Sequence, residues 1–164
     1  MHRHSLKGSL TIRVCAVFLT IGNMGIVTHA QTQTMPPAPE FHTLVPSQYG
    51  FDDTVAMLKG AMESENLMVI NEIDPQQMLR MVGVKTQGIK QVFFFHPRFM
   101  KRLRDANMHA TIEPPLKVAV METPKGTVVK YIKPSYLLSR YEGVEDIGRE
   151  LDAVVAKVVS SVQK

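Results

Sequence analysis

The sequence predicts an α+β domain: one mostly antiparallel sheet with helices packed on one face. Two segments with helical apolar periodicity, at 52–66 and 145–162, enclose a central region of short β-rich segments. In that region, residues 116–122 and 127–133 flank the turn TPKG, which is typical of a hairpin between antiparallel strands. Strands that are grouped between helices, instead of alternating with them, favour this fold class.

The first half of the domain is predicted from apolar periodicity and from the residues that end each segment. A short, partly alternating strand occupies 42–47, and in the following helix Val55, Leu58 and Met62 recur at helical spacing. The elements that come next are a strand at 68–74, a short helix at 76–82, a strand at 91–96 and a helix at 98–107.

The second half adds two helices to the hairpin. Ser135 is predicted to cap a short helix that runs to Arg140. The closing helix has one apolar stripe, formed by Ile147, Leu151, Val154, Val158 and Val162. We expect the two long helices to cover one face of the sheet.

One predicted strand, QVFFFH, is apolar on both sides. Its Phe93, Phe94 and Phe95 are consecutive, and neighbouring side chains of a strand point to opposite faces. The segment VAVM in a later strand repeats this pattern. Because the long helices can cover only one face, the other face needs the inserted segments at 76–89 and 98–115, a second subunit or an apolar ligand.

The N-terminal residues 1–30 are predicted to be a cleavable signal peptide. Basic residues precede an apolar run at 14–27, and small residues end with Ala30. The run is short and interrupted by glycine, whereas a membrane span needs about 20 apolar residues. A polar, proline-rich lead-in at 31–41 is expected to be disordered, and one domain occupies 42–164. We therefore expect an exported protein, either periplasmic or secreted.

Most of the net positive charge comes from the predicted signal peptide. The full chain has 19 Lys and Arg against 15 Asp and Glu, a net charge of +4. Removing Arg3, Lys7 and Arg13, with no acidic residue among the first 30, leaves 16 against 15, or +1. A charge this small does not predict a nucleic-acid partner. Cys15 is the only cysteine and lies in the same segment, so no disulfide or thiolate ligand is expected in the domain.

Several segments occur in a familiar order along the chain: YGFDDTVAMLKGAMES, HP after an apolar strand, Leu103, Ala106-Asn107, PPLKVAV and YIKPSYLLSRY. Together they resemble the bacterial domain of unknown function 302 family over nearly the whole predicted domain. The resemblance implies a TATA-binding-protein-like α+β fold with the order strand, helix, four strands, helix. It implies no particular activity.

His96 is the first candidate for a functional site. Pro97 suits the first position of a helix and so places His96 at the N-cap, where a side-chain acceptor can satisfy a backbone N–H. Members of the resembled family often have Asn-Pro here, and asparagine is a good cap, which favours the capping interpretation. In the alternative, the helix N-terminus keeps the imidazole neutral and able to bind a metal or polarise a carbonyl.

A basic cluster, Arg98, Lys101, Arg102 and Arg104, follows on the predicted helix. It could attract phosphate, anionic lipid or an acidic partner. The alternative is a solvated helix face on which Lys101 pairs with Asp105. The candidate ligand or partner surface therefore consists of Phe93, Phe95, His96, Arg98, Lys101 and Arg102.

Metal handling and acid–base catalysis are the two further hypotheses. His96, His109 and Met108 are candidate metal ligands because imidazole and thioether groups suit copper(I), although methionine is also an ordinary gap-filler in apolar cores. For catalysis, His109 and Glu113 are the one nearby base and carboxylate. The sequence contains no nucleophile elbow and no glycine-rich phosphate loop.

These patterns favour a small exported binding or interaction module over an enzyme. Its ligand would be an apolar or anionic small molecule or a protein subunit, and a homodimer is one such arrangement. No catalytic residue, cofactor, nucleic-acid partner or membrane span is predicted.

Overall fold

The structure is a computed structural model and describes residues 37–163, so the predicted signal peptide and most of the predicted lead-in lie outside the described residues. In chain order the elements are β1 (His42–Pro46), α1 (Phe51–Ser64), β2 (Met68–Ile73), α2 (Pro75–Met81), β3 (Ile89–Phe95), α3 (Pro97–Ala106), β4 (Leu116–Thr123), β5 (Gly126–Ile132), α4 (Pro134–Leu138) and α5 (Glu145–Ser160). A short 3₁₀ helix, Met108–Ile112, lies between α3 and β4.

The five strands form one open antiparallel sheet in the order β1-β5-β4-β3-β2. The first strand of the chain thus pairs with the last, and β1 and β2 are the two edges. The predicted α+β class and the order strand, helix, four strands, helix are confirmed, with the short helices as insertions.

The first face of the sheet and the two long helices enclose the core. In register across the central strands, Val92 pairs with Val118 and Val120 pairs with Val129, and all four side chains are fully buried. Helix α1 contributes Leu58 and Met62, and α5 contributes Leu151, Val155 and Val158. Burial of such side chains stabilises the fold by about 1.5–3 kcal/mol each.

Three local features differ from the sequence prediction. Helix α4 begins at Pro134 with Lys133 as its N-cap, because the fixed φ of proline suits the first helical position, so the predicted capping role of Ser135 is wrong. Strand β3 begins two residues earlier than predicted, since Ile89 pairs with Met121 on β4. The 3₁₀ helix was not predicted because its five residues are too few to show a periodicity.

Residues 37–41, at the end of the predicted lead-in, are described. The ring of Phe41 stacks on that of Tyr136 with a centroid separation of 5.3 Å, and the N–H of His42 donates to the carbonyl of Pro39. Within residues 37–163, no helix is long and apolar enough to cross a membrane.

Candidate functional site

The second face of the sheet lies opposite α1 and α5. Three rows of side chains run across it from strand to strand. The first row contains Asn71, Phe93 and Lys117 and continues to Ile132 and His42. The second contains Ile73, Gln91, Ala119, Lys130 and Leu44, and the third contains Ile89, Met121, Val128 and Pro46. These three rows are called the second face below.

No side chain of the second face is fully buried, whereas the centre of the opposite face is inaccessible to solvent. The inserted segments do not change this. Helix α2 has no buried residue, and α3 reaches only the end of β3, where Phe99 packs against Phe95 with a ring separation of 6.4 Å. The described chain therefore leaves this mostly apolar sheet face partly exposed to solvent.

Phe93 and Phe95 were both predicted to contact a ligand, and the structure places them differently. Phe95 is only 4% exposed, because α3 folds back over it. Phe93 is partly exposed on the second face, and the ammonium of Lys117 lies 5.9 Å from the centre of its ring. Of the two, Phe93 is the side chain that a ligand could reach.

The second face is basic. Its ionisable side chains are Lys117, Lys130 and His42, and its rows contain no carboxylate. Among the described residues, neither lysine has an acidic partner within 4.0 Å. Burial, and secondly the positive charge of Lys130, lower the pKa of His42 below its usual value. The Nδ1 atom of His42 is buried and has no hydrogen-bond partner within residues 37–163.

His96 occupies the N-cap position of α3, as the sequence indicates. Its Nδ1 accepts a hydrogen bond from the backbone N–H of Arg98 at 2.9 Å, and its ring stands edge-on to that of Phe99 at 6.2 Å. The imidazole nitrogen therefore satisfies one of the N–H groups that a helix start leaves unpaired. The Arg98 guanidinium has no acidic partner among the described residues.

The other basic residues of α3 are paired with acids. Lys101 and Arg104 both contact Asp105, each at 2.5 Å. The hydrogen bond from Lys101, and after it the hydrogen bond from Arg104, lowers the pKa of the Asp105 carboxyl. Arg102 reaches Glu150 on α5 at 2.5 Å and lies over the ring of Phe99. Three of the four residues of the basic cluster thus contact a carboxylate.

The structure does not bring the remaining candidates into one site. His96 is the N-cap of α3, whereas His109 lies beyond the other end of α3, on the 3₁₀ helix. Met108 and His109 are exposed on the 3₁₀ helix. Glu113 accepts a hydrogen bond from the hydroxyl of Tyr141 at 2.7 Å, which raises the pKa of that tyrosine. In the described part of the chain, no three His, Cys, Asp or Glu side chains are grouped so that they could hold a metal ion.

A charged groove that the sequence did not indicate lies between α1 and the β2 edge. Its volume is about 460 Å³. The carboxylate of Glu72 lies in this groove and forms ion pairs with Lys59 and with Lys90 on the neighbouring strand, both at 3.1 Å. Burial acts to raise the pKa of Glu72, but the two lysines together lower it. The groove is lined by two lysines and by three carboxylates, those of Asp52, Glu63 and Glu72, so its charge does not favour an anionic ligand.

The lysines of the second face were also missed, although one signal was available. Lys117 interrupts the apolar alternation of LKVAVMET at a position that points away from the buried residues Leu116 and Val118. Lys130 carries no such signal of its own. Only the strand pairing places it beside Ala119, on the same side of the sheet as Lys117.

Comparisons with known proteins agree with this fold. The family model described as Domain of unknown function DUF302 matches residues 43–162. The crystal structure of an uncharacterized conserved protein DUF302 from Bacillus stearothermophilus has 17% sequence identity and a TM-score of 0.71, and the match covers 76% of this chain and 99% of that one. At this identity the likeness shows the fold. No curated protein matches the chain. Since the family model spans nearly the whole described domain, the chain belongs to the DUF302 family.

Proposed function

We propose that this protein is a small binding or interaction module and that the second face is its contact surface. One observation carries the proposal: the sheet is apolar on both sides, but its own helices bury only one of them. A sheet face with exposed Leu44 and partly exposed Met121, Val128 and Phe93 gains free energy when another surface covers it.

The shape of the second face supports a protein partner more than a small ligand. Small-molecule sites are usually concave, since a cavity buries most of the ligand surface. Two cavities in residues 37–163 lie away from this face, one between α1 and β2 and the other beside α2. An apolar molecule on an open sheet face would keep much of its surface in water. A partner subunit can instead cover several strands at once.

We also propose that the module acts outside the cytoplasm, in the periplasm or after secretion. The support is the basic, apolar and small-residue pattern of the first 30 residues. N-terminal sequencing of the protein recovered from its own cells tests this part, because export predicts a mature chain that begins at Gln31.

Native mass spectrometry of the protein purified from the cells that make it tests the contact surface. The informative variant combines Leu44→Gln with Met121→Gln on the second face. The control combines Met81→Gln with Ile112→Gln, whose side chains are 81% and 77% exposed on other elements. We expect the wild type and the control to carry a bound molecule or a second subunit, and the second-face variant to lose it.

Two results would reject this proposal. One is a wild-type protein that is a bare monomer at every concentration measured. The other is a control variant that loses the bound molecule or subunit as fully as the second-face variant does. That result would show that exposed apolar residues in general retain the partner. Circular dichroism on all three proteins verifies that each is folded.

A further inference from the structure

The second face carries two lysines that can act on one group. Lys130 lies opposite Ala119 in the pairing of β4 with β5, and Lys117 is two residues from Ala119 on the same strand. Lys117 and Lys130 are therefore diagonal neighbours on one side of the sheet, with Cα atoms about 7–8 Å apart. Flexible side chains at that separation can bring both ammonium groups to a single anion.

Apolar side chains surround Lys117 and Lys130, so a purely apolar partner that covered them would also bury the two lysines. Phe93 lies beside Lys117, and Leu44 lies opposite Lys130 on β1. A partner that packs on these apolar side chains also removes water from the ammonium groups. Desolvating a cation without a counter-charge is unfavourable. The partner must therefore supply negative charge, because the rows of the second face contain no carboxylate.

The same charges argue against a symmetric contact with a second copy. A two-fold interface would place the basic second face of one copy against the same basic face of the other. Juxtaposed like charges oppose such a contact. A heterologous partner fits this charge pattern better.

We infer that the occupant of the second face is an acidic amphipathic segment of another protein, with its apolar side on Phe93, Leu44 and Met121 and a carboxylate between Lys117 and Lys130. This inference rests on the proposed function and names the chemistry of the partner. The acidic groups provide orientation and specificity, and the apolar side chains provide most of the buried area.

Binding of two synthetic peptides tests the inference. Both are amphipathic helices of ~18 residues with the same leucine stripe, flanked by glutamates in one and by lysines in the other. Fluorescence anisotropy at low ionic strength measures their affinity for the purified protein. We expect the glutamate peptide to bind at least about tenfold more tightly than the lysine peptide, and added salt to reduce that difference.

Variants of the lysines separate charge from apolar contact. Lys117→Gln combined with Lys130→Gln should weaken the glutamate peptide about tenfold and remove the preference between the peptides. The control, Lys101→Gln with Lys125→Gln, changes the net charge equally on α3 and on the hairpin turn and should keep the preference. Chemical-shift changes of backbone amides should map to β1, β3, β4 and β5.

Each other outcome overturns the inference. Equal binding of both peptides to every variant would show a surface without charge selection and would leave the proposed function standing. Binding of dodecanoate that competes with the peptide at equal or higher affinity would identify a small amphiphile as the occupant. A dimer that Leu44→Gln with Met121→Gln dissociates would identify a second copy. Binding of neither peptide would reject the acidic segment, whereas loss of the proposed function itself requires the bare monomer described above.

Discussion

The Cα atom of Ser135 lies only 2.9 Å from the position that a Cβ atom would take on Gly148. This contact lets α4 and α5 approach closely. The approach is reinforced by Asp152, whose carboxylate accepts hydrogen bonds from the Ser135 backbone N–H at 2.8 Å and from its hydroxyl at 2.5 Å. The glycine is therefore a packing requirement, although it lies inside a helix where alanine has the higher intrinsic propensity.

Gly148→Ala should destabilise the protein, because the added methyl group meets backbone that cannot move without separating α4 from α5. We expect the free energy of unfolding to fall by about 1–3 kcal/mol in urea denaturation. Gly60→Ala is the matched control, because Gly60 also lies inside a helix. No other part of the described chain comes within 4 Å of its added Cβ, so this change should stabilise the protein by up to about 1 kcal/mol. Equal effects at the two glycines would contradict the packing role of Gly148.

The cap that His96 provides to α3 gives a second prediction. His96→Ala removes the acceptor for the Arg98 N–H and should lower the free energy of unfolding by about 1 kcal/mol, while His96→Asn should retain most of it, since asparagine is a good N-cap. His109→Ala serves as the control because that imidazole is exposed. If His96→Asn were as destabilising as His96→Ala, the role of this histidine would not be capping.

Glu72 should make stability depend on pH. Lys59 and Lys90 hold its pKa below the ordinary value of 4.5, so its contribution is complete above that pH and is lost as the pH falls through the lower folded-state value. Glu72→Gln should therefore lower the free energy of unfolding by about 1 kcal/mol or less at neutral pH, and by progressively less below pH 4.5. Urea denaturation across this range measures the difference.

Glu63 supplies the control for that measurement. It is an exposed carboxylate in the same groove and has no ion pair among the described residues. Glu63→Gln should leave the free energy of unfolding nearly unchanged at every pH. If Glu72→Gln lowered the free energy of unfolding equally at every pH, the loss would come from altered packing and not from the broken ion pairs.

The imidazole of His42 should report the positive charge of the second face. Its pKa is lowered from 6.5 by burial and also by Lys130, so Lys130→Gln should move it part of the way back. Because the folded state disfavours the protonated ring, its contribution to stability is present above pH 6.5 and declines below it. NMR titration of the ring protons measures the shift, with Lys125→Gln at the hairpin turn as the control. An unchanged His42 pKa in Lys130→Gln would show that the lysine charge does not reach this ring.

Much of the fold was predictable because its signals are local. The spacing of Val55, Leu58 and Met62 locates the buried side of α1, and the TPKG turn identifies the hairpin of β4 and β5. The predicted limits of most elements agree with the structure to within one or two residues. The largest local error concerned Ser135, which has the right chemistry for a cap but bonds to Asp152, 17 residues later, instead.

The candidate surface was predictable only in part. Three consecutive phenylalanines indicate a strand that is apolar on both sides, yet they do not show that Phe95 is buried by α3 while Phe93 stays accessible. The cluster of basic residues on α3 is evident in the sequence. Its pairing partner Glu150 is 48 residues from Arg102, so only the packing of α3 against α5 could reveal that ion pair.

Local sequence patterns were enough to predict the order and type of the elements, the cap at His96 and a sheet with two apolar sides. Caps, turns and periodicities depend on residues that are close along the chain, so the sequence alone is enough to recognise them. Tertiary structure decided which side stays open and placed Lys117 diagonally across from Lys130. Those relationships depend on strand order and register, which bring together residues that no local pattern connects.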